Sequence, residues 1–142
     1  MKKQLIIRSS NDSVNLPEYG GCVAKALMNV FKVEASLLSA MFAMIGNYDS
    51  VFDGATFTVV DKVIKTLRKL YVSKGYHINP IYKANNSRIS YYQAACVFTN
   101  GTYIMHFPEH ISALIDGVVY DAYYTSQERY KTLYPKGWWR IR

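Results

Sequence analysis

The sequence predicts an α+β domain in which N-terminal helices pack on one side of a C-terminal antiparallel β-meander. Three observations carry this. Apolar residues recur at helical spacing in the first half of the chain and in short strand-like runs after Gly75. Two pairs, Asn100-Gly101 and Asp116-Gly117, each separate apolar runs, the strongest short-range hairpin signal. Half of the 142 residues are hydrophobic, enough for a real core at a length that suits one domain over 1–142.

The elements follow in order. QLIIR near the N-terminus reads as a short strand, followed by a polar loop holding Pro17 and Gly20-Gly21. From Cys22 the period is helical: Val23, Ala26, Leu27, Val30 and Phe31 fall at i, i+3, i+4, i+7 and i+8 and share a face. A second helix runs from about Glu34 to Ile45, with Gly46 placed to end it. After a loop with Gly54, a third helix shows Thr58 and Asp61 at capping-box spacing. Its apolar stripe is Val60, Val63, Ile64, Leu67 and Tyr71, and Gly75 closes it. HINPIY is a short strand, at an edge because Pro80 lacks an N–H. SYYQAACVFT (90–99) and TYIMHF (102–107) are read as strands around Asn100-Gly101, and HISALI and VVYDAYY as strands around Asp116-Gly117. GWWRIR is a last strand. No internal repeat or linker interrupts the chain.

The formal charge is +7, with Lys62, Lys65, Arg68, Lys69 and Lys74 close together on the third helix and its end. Such charge favours acidic partners: nucleic acid, an anionic cell wall or membrane, or an acidic protein. A solvated basic face is the simpler reading, and no aromatic–basic interleaving points to nucleic acid. The apolar run around ASLLSAMFAMIG is broken by Lys32 and Glu34, so no membrane span is expected. MKKQLIIRSSND lacks the apolar segment of a signal peptide, so a soluble protein made in the cytosol is expected. Two cysteines, Cys22 and Cys96, are too few for a disulfide framework, though they leave one bridge open.

Chemistry concentrates at two places. With Asp116 and Gly117 as turn residues, Ile115 pairs with Val118 and Ser112 with Asp121. Side chains alternate along strands, so His110 and Asp121 share a face as diagonal neighbours. A carboxylate there accepts a hydrogen bond from the imidazole. Cys22 follows Gly20-Gly21, which let another chain approach closely, and it opens an amphipathic helix. A helix N-terminus favours a thiolate and offers free backbone N–H groups to an oxyanion. Taken alone, a Cys at a helix start is a small hydrophobe, and the His110–Asp121 pair is what favours a nucleophile.

Other residues have simpler readings. Cys96, mid-strand among apolar residues, is core. His106 precedes Pro108 and is read as a strand or edge histidine, and His77 as exposed. Pro108 argues against the helix a zinc site on Cys22, His106 and His110 would need. The turn explains Asp116. Tyr120, Tyr123, Tyr124, Trp138 and Trp139 suit either core or a substrate groove. No cofactor is expected.

GGCVAKALMNVF and EHISALIDGVVYDAYY together resemble the papain-like cysteine peptidase superfamily, most closely its small phage and bacterial members. Those show a G-C-V-x-(K/R)-A-L helix start and an H-x-x-A-x-I-D-G-x-V-Y-D hairpin. The resemblance implies a papain-like fold, a phage origin, Cys22 as nucleophile, His110 as base and acid, and Asp121 as the residue that orients the ring. It also implies a substrate cleft bordered by Tyr19, Gly20 and Gly21, beside Glu18. The family often places a Gln oxyanion donor about six residues before the Cys. That position is Leu16 here, and Asn15 takes the role in this reading, with Asn11 the other nearby amide.

The expected function is therefore cysteine-dependent hydrolysis of a peptide or isopeptide bond in a protein or peptide substrate. A second expectation, of a different class, is a catalytically idle papain-like fold that binds, as a virion component or an inhibitor of a host factor. A third is a nucleic-acid-binding module built on Lys62–Lys74, whose binding would depend on salt.

Overall fold

A computed structural model describes residues 4–9, 21–46, 56–71, 82–86, 88–108, 110–121 and 126–142. In chain order the elements are β1 (Ile6–Ser9), α1 (Cys22–Phe31), α2 (Ala35–Gly46), α3 (Phe57–Tyr71), β2 (Tyr82–Ala84), α4 (Tyr91–Val97), β3 (Thr102–Phe107), β4 (His110–Ile115), β5 (Val118–Asp121), α5 (Gln127–Thr132) and β6 (Gly137–Arg140). The class is α+β. Among the described residues the strands form one six-stranded sheet in the order β1-β5-β4-β3-β6-β2. Gly54, Gly75, His77, Pro80, Tyr123 and Tyr124 lie outside the described residues.

The β4–β5 hairpin forms as its turn chemistry requires. Asp116 (φ 50°) and Gly117 (φ 80°) both take positive φ, the type I′ combination whose twist matches the strands. Ile115 pairs with Val118, Leu114 with Val119 and Ala113 with Tyr120. β3 pairs antiparallel with β4 on one side and β6 on the other.

The meander differs from expectation in two ways. First, the sheet is mixed: β1 runs parallel to β5, with Ser9 in register with Asp121. Parallel pairing needs a long crossover, and α1–α3 lie between the two strands in sequence. Second, residues 91–97 form helix α4, not a strand. Ser90 caps it: the Ser90 hydroxyl accepts from Gln93 N–H (3.1 Å), and Gln93 Oε1 accepts from Ser90 N–H (2.9 Å). This reciprocal capping box satisfies two backbone donors that a helix start otherwise leaves open. A short apolar run such as YYQAACV fits either state by pattern, and the cap together with burial of Tyr91, Ala94 and Ala95 decides for helix. Asn100-Gly101 is consequently no hairpin turn. It leads from α4 into β3, with Gly101 at φ 107° and its N–H donated to Asp116 Oδ1 (2.8 Å).

Helices therefore cover both faces of the sheet, not one. Ala26, Leu27, Val30 and Phe31 of α1, Leu38 and Phe42 of α2 and Val60, Val63, Ile64 and Leu67 of α3 build one core with Ile104, Ile111, Ala113 and Trp139. Tyr91, Ala94 and Ala95 of α4 and Tyr130 of α5 build the other with Met105, Phe107, Leu114, Val119 and Trp138. Adjacent Trp138 and Trp139 thus go to opposite cores, as strand alternation dictates. Each fully buried side chain of this size contributes roughly 1.5–3 kcal/mol.

The start of α3 also shifts. Thr56, not Thr58, is the capping residue, its Oγ1 accepting from Val59 N–H (3.4 Å). Asp61 instead accepts from Trp139 Nε1 (2.8 Å) and pairs with Lys65 (2.8 Å), tying α3 to β6. The apolar stripe ends at Leu67, and Tyr71 is exposed. No single helix among the described residues is long and apolar enough to cross a membrane.

Candidate active site

Antiparallel pairing puts the start of β4 and the end of β5 at the same end of the sheet. His110 is the first residue of β4 and Asp121 the last of β5. Their side chains meet as the hairpin register requires: His110 Nε2 lies 3.0 Å from Asp121 Oδ2 and 3.2 Å from Oδ1. Both residues are buried, so the contact is little screened by water. His110 shares its strand parity with Leu114 of the α4–α5 core, and the ring of Phe107 from that core sits against the imidazole, with centroids 6.0 Å apart.

Cys22 is the first residue of α1 and lies close enough to the His110 ring to act on its protonation. A carboxylate and a thiol therefore both act on the one ring. Burial pulls the His110 pKa down, but the Asp121 hydrogen bond, the Cys22 hydrogen bond and the charges of both partners outweigh it and raise the pKa to about 9. His110 is thus a cation at neutral pH, held by two groups that gain from its charge.

Gly21 is the N-cap of α1, in extended backbone (φ −69°, ψ 168°) that any residue adopts. A sharp turn is therefore not what Gly21 supplies. Having no side chain, it brings no oxygen to accept from the first-turn N–H groups. Asn15, Asn11, Glu18, Tyr19 and Gly20 lie outside the described residues.

Both cysteines are free thiols. Cys22 packs at the margin of the α1–α3 core and Cys96 at the margin of the α4–α5 core. Cys96 is a packing residue as expected, but on helix α4. His106 sits in interior strand β3, half-buried among Phe57, Tyr82 and Trp139, with Tyr82 Oη 3.4 Å from its Nδ1. Burial, and then the charge of Lys136, hold its pKa below the ordinary value, so it stays neutral. Tyr120 packs against the α1–α3 core, and Trp138 and Trp139 are core residues, not a groove lining. Among the described residues no group of His, Cys, Asp and Glu is arranged to hold a metal ion. On the basic face, Lys62, Lys65 and Lys69 are exposed, but Lys65 is engaged by Asp61 and Arg68 donates to Ile141 O (3.2 Å).

Two residues of the site neighbourhood escape sequence reasoning. Tyr91 is fully buried and hydrogen-bonds Ser112, two positions along β4 from His110. The Ser90–Gln93 capping spacing is the signal that places Tyr91 at the start of a helix.

Comparisons with family models, with curated proteins and with solved structures yield no match to this chain.

Proposed function

We propose that this chain is a papain-like cysteine hydrolase acting on an amide bond in a peptide or protein. The observation that supports it is the buried His110–Asp121 pair at one end of the sheet, on whose cationic ring Cys22 also acts. In this reading Cys22 rests as a thiolate beside the His110 imidazolium. The thiolate Sγ attacks the carbonyl carbon, and the carbonyl electron pair moves to oxygen. Backbone N–H groups of the first turn of α1, with Asn15 as the amide donor in this reading, stabilise that oxyanion. As the C–N bond breaks, His110 Nδ1 gives its proton to the leaving amine. Water then attacks the thioester, losing a proton to His110. The C–S bond breaks, and the thiolate–imidazolium pair is restored. Asp121 keeps Nε2 protonated and the ring in place throughout.

Sequence favours one rival: Leu16 stands where the family often has its oxyanion Gln, which suits an idle papain-like protein that binds a host factor or sits in a virion. One experiment separates the two. Iodoacetamide alkylation of Cys22 is followed by mass spectrometry across pH, with Cys96 as internal reference. A hydrolase shows Cys22 reacting faster than Cys96 at about pH 6, below the ~8.5 of a free thiol, and His110→Ala abolishes the difference. Equal reactivity, indifferent to His110, rejects the hydrolase.

A further inference from the structure

We infer that Tyr91 and Ser112 are positioning residues that fix the strand ends carrying His110 and Asp121. The inference deepens the proposed hydrolase site and rests on that reading.

Tyr91 reaches β4 directly and β5 through Ser112. Its hydroxyl lies 2.8 Å from Ser112 Oγ and donates toward Ala113 O (3.1 Å), both on β4. Ser112 Oγ in turn donates to Tyr120 O (3.1 Å) on β5. With the Ser112 proton directed to Tyr120 O, the Tyr91 proton is shared between Ser112 Oγ and Ala113 O. Tyr120 immediately precedes Asp121, and Ser112 is two residues from His110 on the same face. The relay therefore crosses the strand pair just where regular hairpin pairing ends, at Ala113–Tyr120. Beyond that rung the Ser112–Tyr120 and His110–Asp121 hydrogen bonds link β5 to β4. Side chains take over that task.

Packing adds a second hold. The Tyr91 ring lies 5.2 Å from Phe107, whose ring lies against His110, and meets Tyr130 of α5 edge-on at 5.1 Å. Tyr91 is thus clamped from below, so its hydroxyl has little freedom. Burial, with the charges of Asp121 and Tyr130 adding and the Ser112 hydrogen bond opposing, holds its pKa well above the usual tyrosine range. The phenol stays neutral and remains a donor. A buried polar network that is fully satisfied rigidifies the groups it joins.

The test reads the His110 ring itself, by NMR titration of the full-length protein, and needs no substrate. The groups acting on that ring are Asp121 and Cys22. His106, on the other parity of β3, serves as internal reference. Tyr91→Phe removes only the hydroxyl. The expected His110 midpoint falls from about 9 to roughly 8–8.5, the scale of one weakened hydrogen bond. His106 stays put. Ser112→Ala gives the same fall, and Ser112→Thr, which keeps a hydroxyl on a strand, restores it. Leu67→Val, in the opposite core, controls for a general loss of stability. An unmoved His110 midpoint in Tyr91→Phe and Ser112→Ala overturns the inference, as does an equal fall in Leu67→Val. If wild-type His110 titrates near 6.5, there is no held pair and the inference fails with the dyad. If His110 behaves as expected but Cys22 is unreactive, the hydrolase reading fails and the positioning role stands.

Discussion

His110 Nε2 faces both oxygens of Asp121, at 3.0 and 3.2 Å, from adjacent antiparallel strands joined by a two-residue turn. Two buried partners held this closely form a pair whose members depend on each other. Removing either leaves an uncompensated buried group, which typically costs about 3–5 kcal/mol.

Asp121→Asn keeps the shape and deletes the charge. The hydrogen bond and Coulombic attraction that raise the His110 pKa are both weakened, so its midpoint is expected to fall by roughly 1–3 pKa units. Cys22 alkylation at neutral pH slows in parallel, because the imidazolium that favours the thiolate is then scarce. Histidine NMR and alkylation kinetics on the same samples check this. A midpoint still near 9 in Asp121→Asn would show that the carboxylate does not control the ring.

Stability follows the same pair as pH changes. His110 has its folded pKa raised from 6.5 to about 9. A raised pKa means that the folded state favours the proton. The contribution is therefore complete below about pH 6.5 and is lost as pH rises through about 9. Its size is on the order of 3 kcal/mol. Urea unfolding at a series of pH values should show wild type losing this stability across that window. His110→Gln should be flatter, the difference between the two curves cancelling other titrating groups. Parallel curves would contradict the shift.

Helix α4 depends on its cap. Ser90→Ala removes one capping bond and leaves Gln93 N–H without its acceptor, with an expected loss of about 1 kcal/mol. Because α4 carries Tyr91, amide exchange in residues 91–97 should also quicken. If Ser90→Ala unfolds at the wild-type urea midpoint, the capping box is not holding the helix.

Much of this molecule is legible in local chemistry. Asp116-Gly117 forces positive φ at both positions, and the resulting register alone places His110 and Asp121 together. The stripes of α1 and α3 show their buried faces because a helix repeats every 3.6 residues, whatever it packs against. The sequence by itself therefore determined the hairpin, the first and third helices and the carboxylate–imidazole pair. Tertiary structure decided what spacing leaves open. YYQAACV satisfies strand and helix patterns alike, and the choice came from a side-chain cap and a second core. Thr56 replaced Thr58 at the start of α3 because Asp61 serves Trp139. β1 lies parallel beside β5 through a crossover that no local signal encodes. Cys22 and His110 lie far apart in sequence, so only the packing of α1 on the sheet brings thiol to imidazole. Short-range order is set by backbone sterics and periodicity, whereas contacts between distant segments are chosen by burial of the whole.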